Sequence, residues 1–222
     1  MKNPLLLAVL CIGIFLFVTF YSVSIILYRS RHQVKYHFYQ MFPYEFNYPS
    51  VFKNNLYGNV LFMLASFSIV AFYILNPYDS VYKTVSIIIS IIFTMVIICL
   101  LLMPLYYLKT HMVLSIVSMT LSLALTLLHF FYGYSTYIFF DDNAMKVLSI
   151  ISMIYSAILV MTMLILIVNP RLTFKIYLDK DVDDSGNEIL KRPRVIFLAL
   201  NEWAAIFIYF LTPISVLLLN II

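Results

Sequence analysis

Six stretches of the chain are almost unbroken in apolar residues: Leu5–Leu27, Leu56–Leu75, Val85–Leu108, Met112–Phe131, Met145–Val168 and Val195–Ile222. An α-helix rises about 1.5 Å per residue, so about 20 apolar residues are needed to cross a bilayer core. Each stretch meets that length. Asn76-Pro77 and Asn169-Pro170 end the second and fifth, as helix-stopping pairs should. Only Lys109, Thr110 and His111 separate the third from the fourth, which predicts a tight antiparallel hairpin there. The first stretch is too long for the core of a secretory signal and no small-residue cleavage pattern follows it, so a retained helix is expected. The fold class predicted is all-α, a polytopic transmembrane bundle of six spans forming one integral membrane domain over residues 1–222.

The connections differ in character. Residues 28–55 are basic and crowded with Tyr36, Phe38, Tyr39, Phe42, Tyr44, Phe46, Tyr48 and Phe52, with Pro43 and Pro49 preventing one continuous helix. Aromatic rings favour the headgroup level, and Arg29, Arg31 and Lys35 favour anionic lipid, so this loop is expected to lie on the leaflet as an interfacial connector. Residues 169–194 alternate through Phe174, Ile176 and Leu178, turn at Ser185-Gly186-Asn187, and resume at Ile189. That pattern predicts a small cytoplasmic β-hairpin. Its Asp181, Asp183, Ser185 and Gly186 begin like a calcium loop, but Arg192 stands where a bidentate Glu is required, so a solvated acidic turn is the better reading.

Composition agrees with the pattern. The 222 residues are 64% hydrophobic and only 11% charged, against about 25% charged in soluble domains. Such a chain cannot cover a water-facing surface, and lipid is its expected solvent. Of 14 Lys and Arg residues, eleven fall in the loops after spans 1, 3 and 5: Arg29, Arg31, Lys35, Lys53, Lys109, Arg171, Lys175, Lys180, Lys191, Arg192 and Arg194. Only Lys2, Lys83 and Lys146 lie on the other side. This bias places loops 1, 3 and 5 in the cytoplasm and both termini outside, in a plasma membrane. Cys11 and Cys99 lie in apolar runs and read as small buried hydrophobes.

No catalytic, phosphate-binding or metal-binding motif occurs, and no cofactor, metal or nucleic acid is expected. The most regular polar pattern is in span 4, where Ser115, Ser118, Ser122, Thr126 and His129 share one helical face. Ser86, Ser90 and Thr94 in span 3, and Ser149, Ser152 and Ser156 in span 5, form similar stripes. Small hydroxylated residues let helices approach, so spans 3, 4 and 5 are expected to pack through them. The alternative is a polar path, with His129 at its outer mouth near Asp141 and Asp142. Within spans, Pro104 and Pro213 are the interrupting prolines, and glycine is scarce, which weighs against a broken-helix carrier.

Glu202 is the remaining charge in an apolar run. Counting back about 20 residues from Ile222 places it near the cytoplasmic boundary, with Trp203 as a belt residue and headgroups within reach. Ala199, Ala205 and Tyr209 share its side and suit contact with another helix. A boundary carboxylate packed against protein, or a coupling group, are the two readings. The functional class favoured is a non-enzymatic accessory subunit or protective partner in a membrane complex, associating with another membrane protein or with itself. A small transporter or channel built on the stripe, His129 and Glu202 is the alternative, and an intramembrane lipid-modifying enzyme the third.

Overall fold

The computed structural model describes residues 4–33, 35–47, 55–77, 81–102, 108–172, 179–182, 188–191 and 193–220. Six helical segments are long and apolar enough to cross a membrane: α1 (Pro4–His32), α2 (Leu56–Leu75), α3 (Val81–Leu102), α4 (Leu108–Phe139), α5 (Asn143–Ile167) and a composite sixth span. That last span consists of α6 (Phe197–Leu211) and α7 (Pro213–Leu219). The protein is a membrane-embedded helix bundle. α4 starts at Leu108, so Lys109, Thr110 and His111 belong to its first turns rather than to a connecting turn. Its 32 residues extend about 48 Å, well beyond a ~30 Å core. Tyrosine, serine and threonine after Phe131 lower the hydropathy without stopping a helix, which is why the apolar run underestimates it. Pro104 lies outside the described residues.

Between spans 5 and 6, β1 (Asp179–Val182) pairs antiparallel with β2 (Glu188–Lys191), Asp179 opposite Lys191 and Val182 opposite Glu188. Residues 174–178, the Ser185–Asn187 turn and Asp183 of the calcium-like run are outside the described residues.

The sixth span is the axis of the bundle. Two-thirds of its most apolar window (67%) is buried, against 28% for α1 and for α5. Aromatic side chains join it to the first two helices: the Phe17 ring stacks on Phe210 at 4.1 Å and meets Phe207 edge-on at 5.4 Å, with Phe62 of α2 at 6.2 Å from Phe210. α1 and α2 approach closely at Gly13, where a Cβ would stand 3.1 Å from that of Ser68. Pro213 divides the span because it has no N–H and its ring collides with the preceding turn. The carbonyls at this break find other donors, as intramembrane backbone must. Tyr155 Oη donates to Leu211 O (3.1 Å), Ser152 Oγ to Ser215 O (2.9 Å), and Nδ1 of His129 lies 3.2 Å from Thr212 O.

Loop 1 corrects an expectation. Its described stretch 35–47 folds against the bundle end and is mostly buried there. Gln33, at φ 53°, turns the chain back after α1, and a 3-10 helix (Pro43–Asn47) is buried at every residue. Trp203 Nε1 donates to Tyr36 Oη and to Met41 O, both at 3.0 Å. Asn47 Nδ2 donates to Leu101 O (2.8 Å) and accepts at Oδ1 from Asn59 Nδ2 (2.8 Å), while Ile196 N donates to Tyr39 O (2.8 Å). Irregular backbone is stable at this depth because protein, not lipid, supplies its partners. Arg29, Arg31 and Lys35 remain exposed at the rim. Cys11 and Cys99 are also exposed on the outside of the bundle, contrary to the buried reading. An apolar side chain in a bilayer need not be covered by protein.

Candidate functional site

Glu202 lies in the second turn of α6, about 7.5 Å along the helix from Phe197 at 1.5 Å per residue. It is 0% exposed. Its Oε1 is 2.9 Å from His111 Nε2 and 2.5 Å from Ser115 Oγ. Ser115 Oγ is also 2.9 Å from the carbonyl of His111, one turn back on α4. The other carboxylate oxygen, Oε2, and the other ring nitrogen, Nδ1 of His111, have no hydrogen-bond partner among the described residues. The carboxylate is fully buried, and loop 1 packs against its partner His111. The rings of Phe42 and Tyr44 stand nearly perpendicular to that of His111, each at 5.6 Å. The depth inferred from the sequence places Glu202 near one end of its span; its cover comes from residues far away in the chain.

Tyr36 ties this cover to the same helix. Its hydroxyl accepts from Trp203 and donates toward Phe42 O (2.9 Å), with Met41 O at 3.1 Å. Burial pushes the Tyr36 hydroxyl well above its ordinary pKa, and the charge of Glu45 adds to the effect. The proton therefore stays in place as a donor. Glu45, in turn, accepts from the backbone N–H of Phe42 (3.0 Å).

All five members of the span-4 stripe are buried. The cross-helix bonds of the three stripes run chiefly to the sixth span. Ser115 bonds Glu202; Thr94 Oγ1 bonds Tyr209 Oη (2.9 Å), which donates to Ser90 O (3.3 Å); and Ser152 bonds Ser215 O. His129 stands between α3 and α7, with Ser86 Oγ 3.3 Å from Nε2 and Ser215 Oγ 3.1 Å from Nδ1. It borders a cavity of about 10 Å³, together with Tyr73, Lys83 and Tyr132, roughly the space of one water. It is not beside the exposed Asp141 and Asp142. Other hydroxyls bond carbonyls within their own helix, as Thr126 does to Ser122 O and Ser149 to Met145 O, both within 2.9 Å. Ser122 Oγ has no partner among the described residues. Ala199, Ala205 and Tyr209 are fully buried with Glu202.

His111 is the site residue that sequence reasoning passed over. The apolar pattern puts it in a turn, yet it precedes Ser115 by four residues and so continues the same stripe. From His111 to His129 is 18 residues, five turns of α-helix at about 3.6 per turn. Extending the periodicity backwards through Lys109 and Thr110 would have found it.

The chain matches no known family model, no curated protein and no solved structure.

Proposed function

We propose that the protein is a small membrane transporter or channel whose working group is Glu202 with His111 and Ser115, and whose axis is the sixth span. The observation carrying this reading is the fully buried carboxylate–imidazole contact at 2.9 Å. Ionisable side chains inside a membrane protein are costly and generally mark an ion or substrate pathway. Helix association alone does not call for them, since hydroxyl–carbonyl bonds such as Ser152 to Ser215 O already join these helices. The charge bias supports the orientation: loops 1, 3 and 5 in the cytoplasm and both termini outside, in a plasma membrane. The covered Glu202 end would then face the cytoplasm and the His129 end the exterior.

The test is flux. The full chain in proteoliposomes, under imposed proton, sodium and potassium gradients, should carry an ion current that Glu202→Gln and His111→Gln each reduce at least tenfold at equal reconstitution. Wild type without flux for any of the three, or flux indifferent to both substitutions, would overturn the reading.

A second reading, the accessory or protective partner, draws on the far end of α4. There Phe139 is 82% exposed, with Ile138 and Phe140 also exposed. Those side chains suit a second membrane protein. Native co-purification of a stable partner, together with absence of flux, would favour it.

A further inference from the structure

Resting on the transport reading, we propose that the ion taken up at Glu202 is a proton, held by the Glu202–Ser115–His111 group. Ser115 has one hydroxyl proton and two acceptors in reach, Glu202 Oε1 at 2.5 Å and the His111 carbonyl at 2.9 Å. With Glu202 ionised, Ser115 donates to Oε1 and the His111 carbonyl gives up that partner. With Glu202 protonated at Oε1, the carboxyl O–H donates to Ser115 Oγ, and Ser115 donates onward to the His111 carbonyl. In the tautomer that carries its proton on Nε2, His111 points that N–H at Oε1 in both arrangements and keeps a lone pair on Nδ1. The two states differ by one proton and by the rotation of one hydroxyl. No heavy atom moves.

The protonation step is balanced: one proton arrives, a lone pair of Oε1 forms the O–H bond, and the group changes from net charge −1 to 0. Inside a low-dielectric bundle that change of charge is the quantity a transport cycle can couple to. A metal cation fits this site poorly. Hard cations such as Ca²⁺ and Mg²⁺ take about six or more oxygen ligands, whereas among the described residues the side chains bonded to Glu202 are one hydroxyl and one imidazole nitrogen. The surrounding titratable groups come from three directions. Loop 1 brings Tyr36, Tyr44 and Glu45; α1 brings Tyr21, its ring 5.4 Å from Trp203; and α4 brings His111 itself. Tyr36 keeps its proton, so it does not replace Glu202 as the acceptor, and Glu45 accepts from the Phe42 amide.

Infrared difference spectroscopy on the purified full chain in lipid nanodiscs tests this without any flux measurement. Among the carboxylic C=O bands removed by titration from acid to alkaline pH at constant ionic strength, one should be missing from Glu202→Gln. His111→Gln should move its titration midpoint by at least threefold in proton concentration. Sodium or potassium, added to wild type at fixed pH, should leave the band unchanged, an arm that needs no variant. Absence of a titrating band assignable to Glu202, a midpoint indifferent to His111, or a response to sodium or potassium equal to that to protons would overturn the proposal. Flux without the band would defeat the proton assignment alone; the band without flux would defeat the transport reading alone.

Discussion

Replacing Tyr36 by Phe removes one oxygen from the cover over Glu202 and leaves the ring in place. The ring keeps its stack on Phe46, at 4.1 Å and 28°, so the aromatic packing should survive. What is lost is one acceptor for Trp203 and one donor to the loop backbone. Trp203 Nε1 still has Met41 O at 3.0 Å, so donor and carbonyl continue to satisfy each other. Phe42 O, which accepted from Tyr36 at 2.9 Å, keeps the backbone N–H of Glu45 at 3.0 Å. Both loop carbonyls keep a donor, so only the net worth of one hydrogen bond is lost, about 0.5–1.5 kcal/mol. That corresponds to roughly a two- to twelvefold rise in the population with the loop released. Trp203 is the sole tryptophan of the chain and its indole is fully buried, so fluorescence reads the docking directly. Wild type in nanodiscs should resist quenching by iodide, and Tyr36→Phe should be quenched measurably more. Its melting in detergent, followed by circular dichroism, should fall with it. Quenching of wild type equal to that of free indole, or a Tyr36→Phe variant as protected and as stable as wild type, would refute the idea that loop 1 covers the site.

Other expectations follow from single contacts. Ser122 is buried with an unpartnered hydroxyl; Ser122→Ala should be neutral or stabilising, whereas Ser122→Leu should cost about 1–3 kcal/mol by overpacking, and equal melting of Leu and wild type would contradict that packing. At Gly58, a Cβ would lie 2.2 Å from Asn55 Oδ1 and 2.6 Å from Ser24 Oγ. Gly58→Ala should therefore break the Asn55–Ser24 bond (2.8 Å) and lower stability by about 1 kcal/mol or more; an unchanged melting temperature would count against it. Topology can be read by placing single cysteines at Ser80, Asn143 and Asn187 in a chain lacking Cys11 and Cys99. An impermeant thiol reagent on intact cells should label the first two and spare the third, and the reverse pattern would invert the orientation.

How much was legible beforehand depends on the range of the interaction involved. The six apolar runs mark the six helices because a backbone in hydrocarbon must satisfy its hydrogen bonds within its own segment, a constraint local enough to read one stretch at a time. α2 coincides with its run, Leu56–Leu75. α4 overshoots its run, since polar residues that reduce hydropathy do not break a helix. The faces of the serine and threonine stripes are likewise a matter of 3.6-residue periodicity. Their destination is not. Nothing in the spacing of Thr94, Ser115 or Ser152 specifies that each reaches the sixth span, because helix order around an axis is settled by mutual packing. The same holds for Glu202. Its depth along α6 follows from counting, while its burial depends on His111 from α4 and on Phe42 and Tyr44 from a loop about 160 residues away in the chain. Basic and aromatic residues favour an interface, so the composition of that loop predicts a surface position. Its buried hydrogen bonds to Trp203, Leu101 and Asn59 exist only once the helices have assembled. The sequence by itself determined where the chain crosses the membrane and which faces are polar. The tertiary structure alone decided which polar groups meet, because a carboxylate in a bundle is either water-exposed or partnered according to side chains that no local pattern brings together.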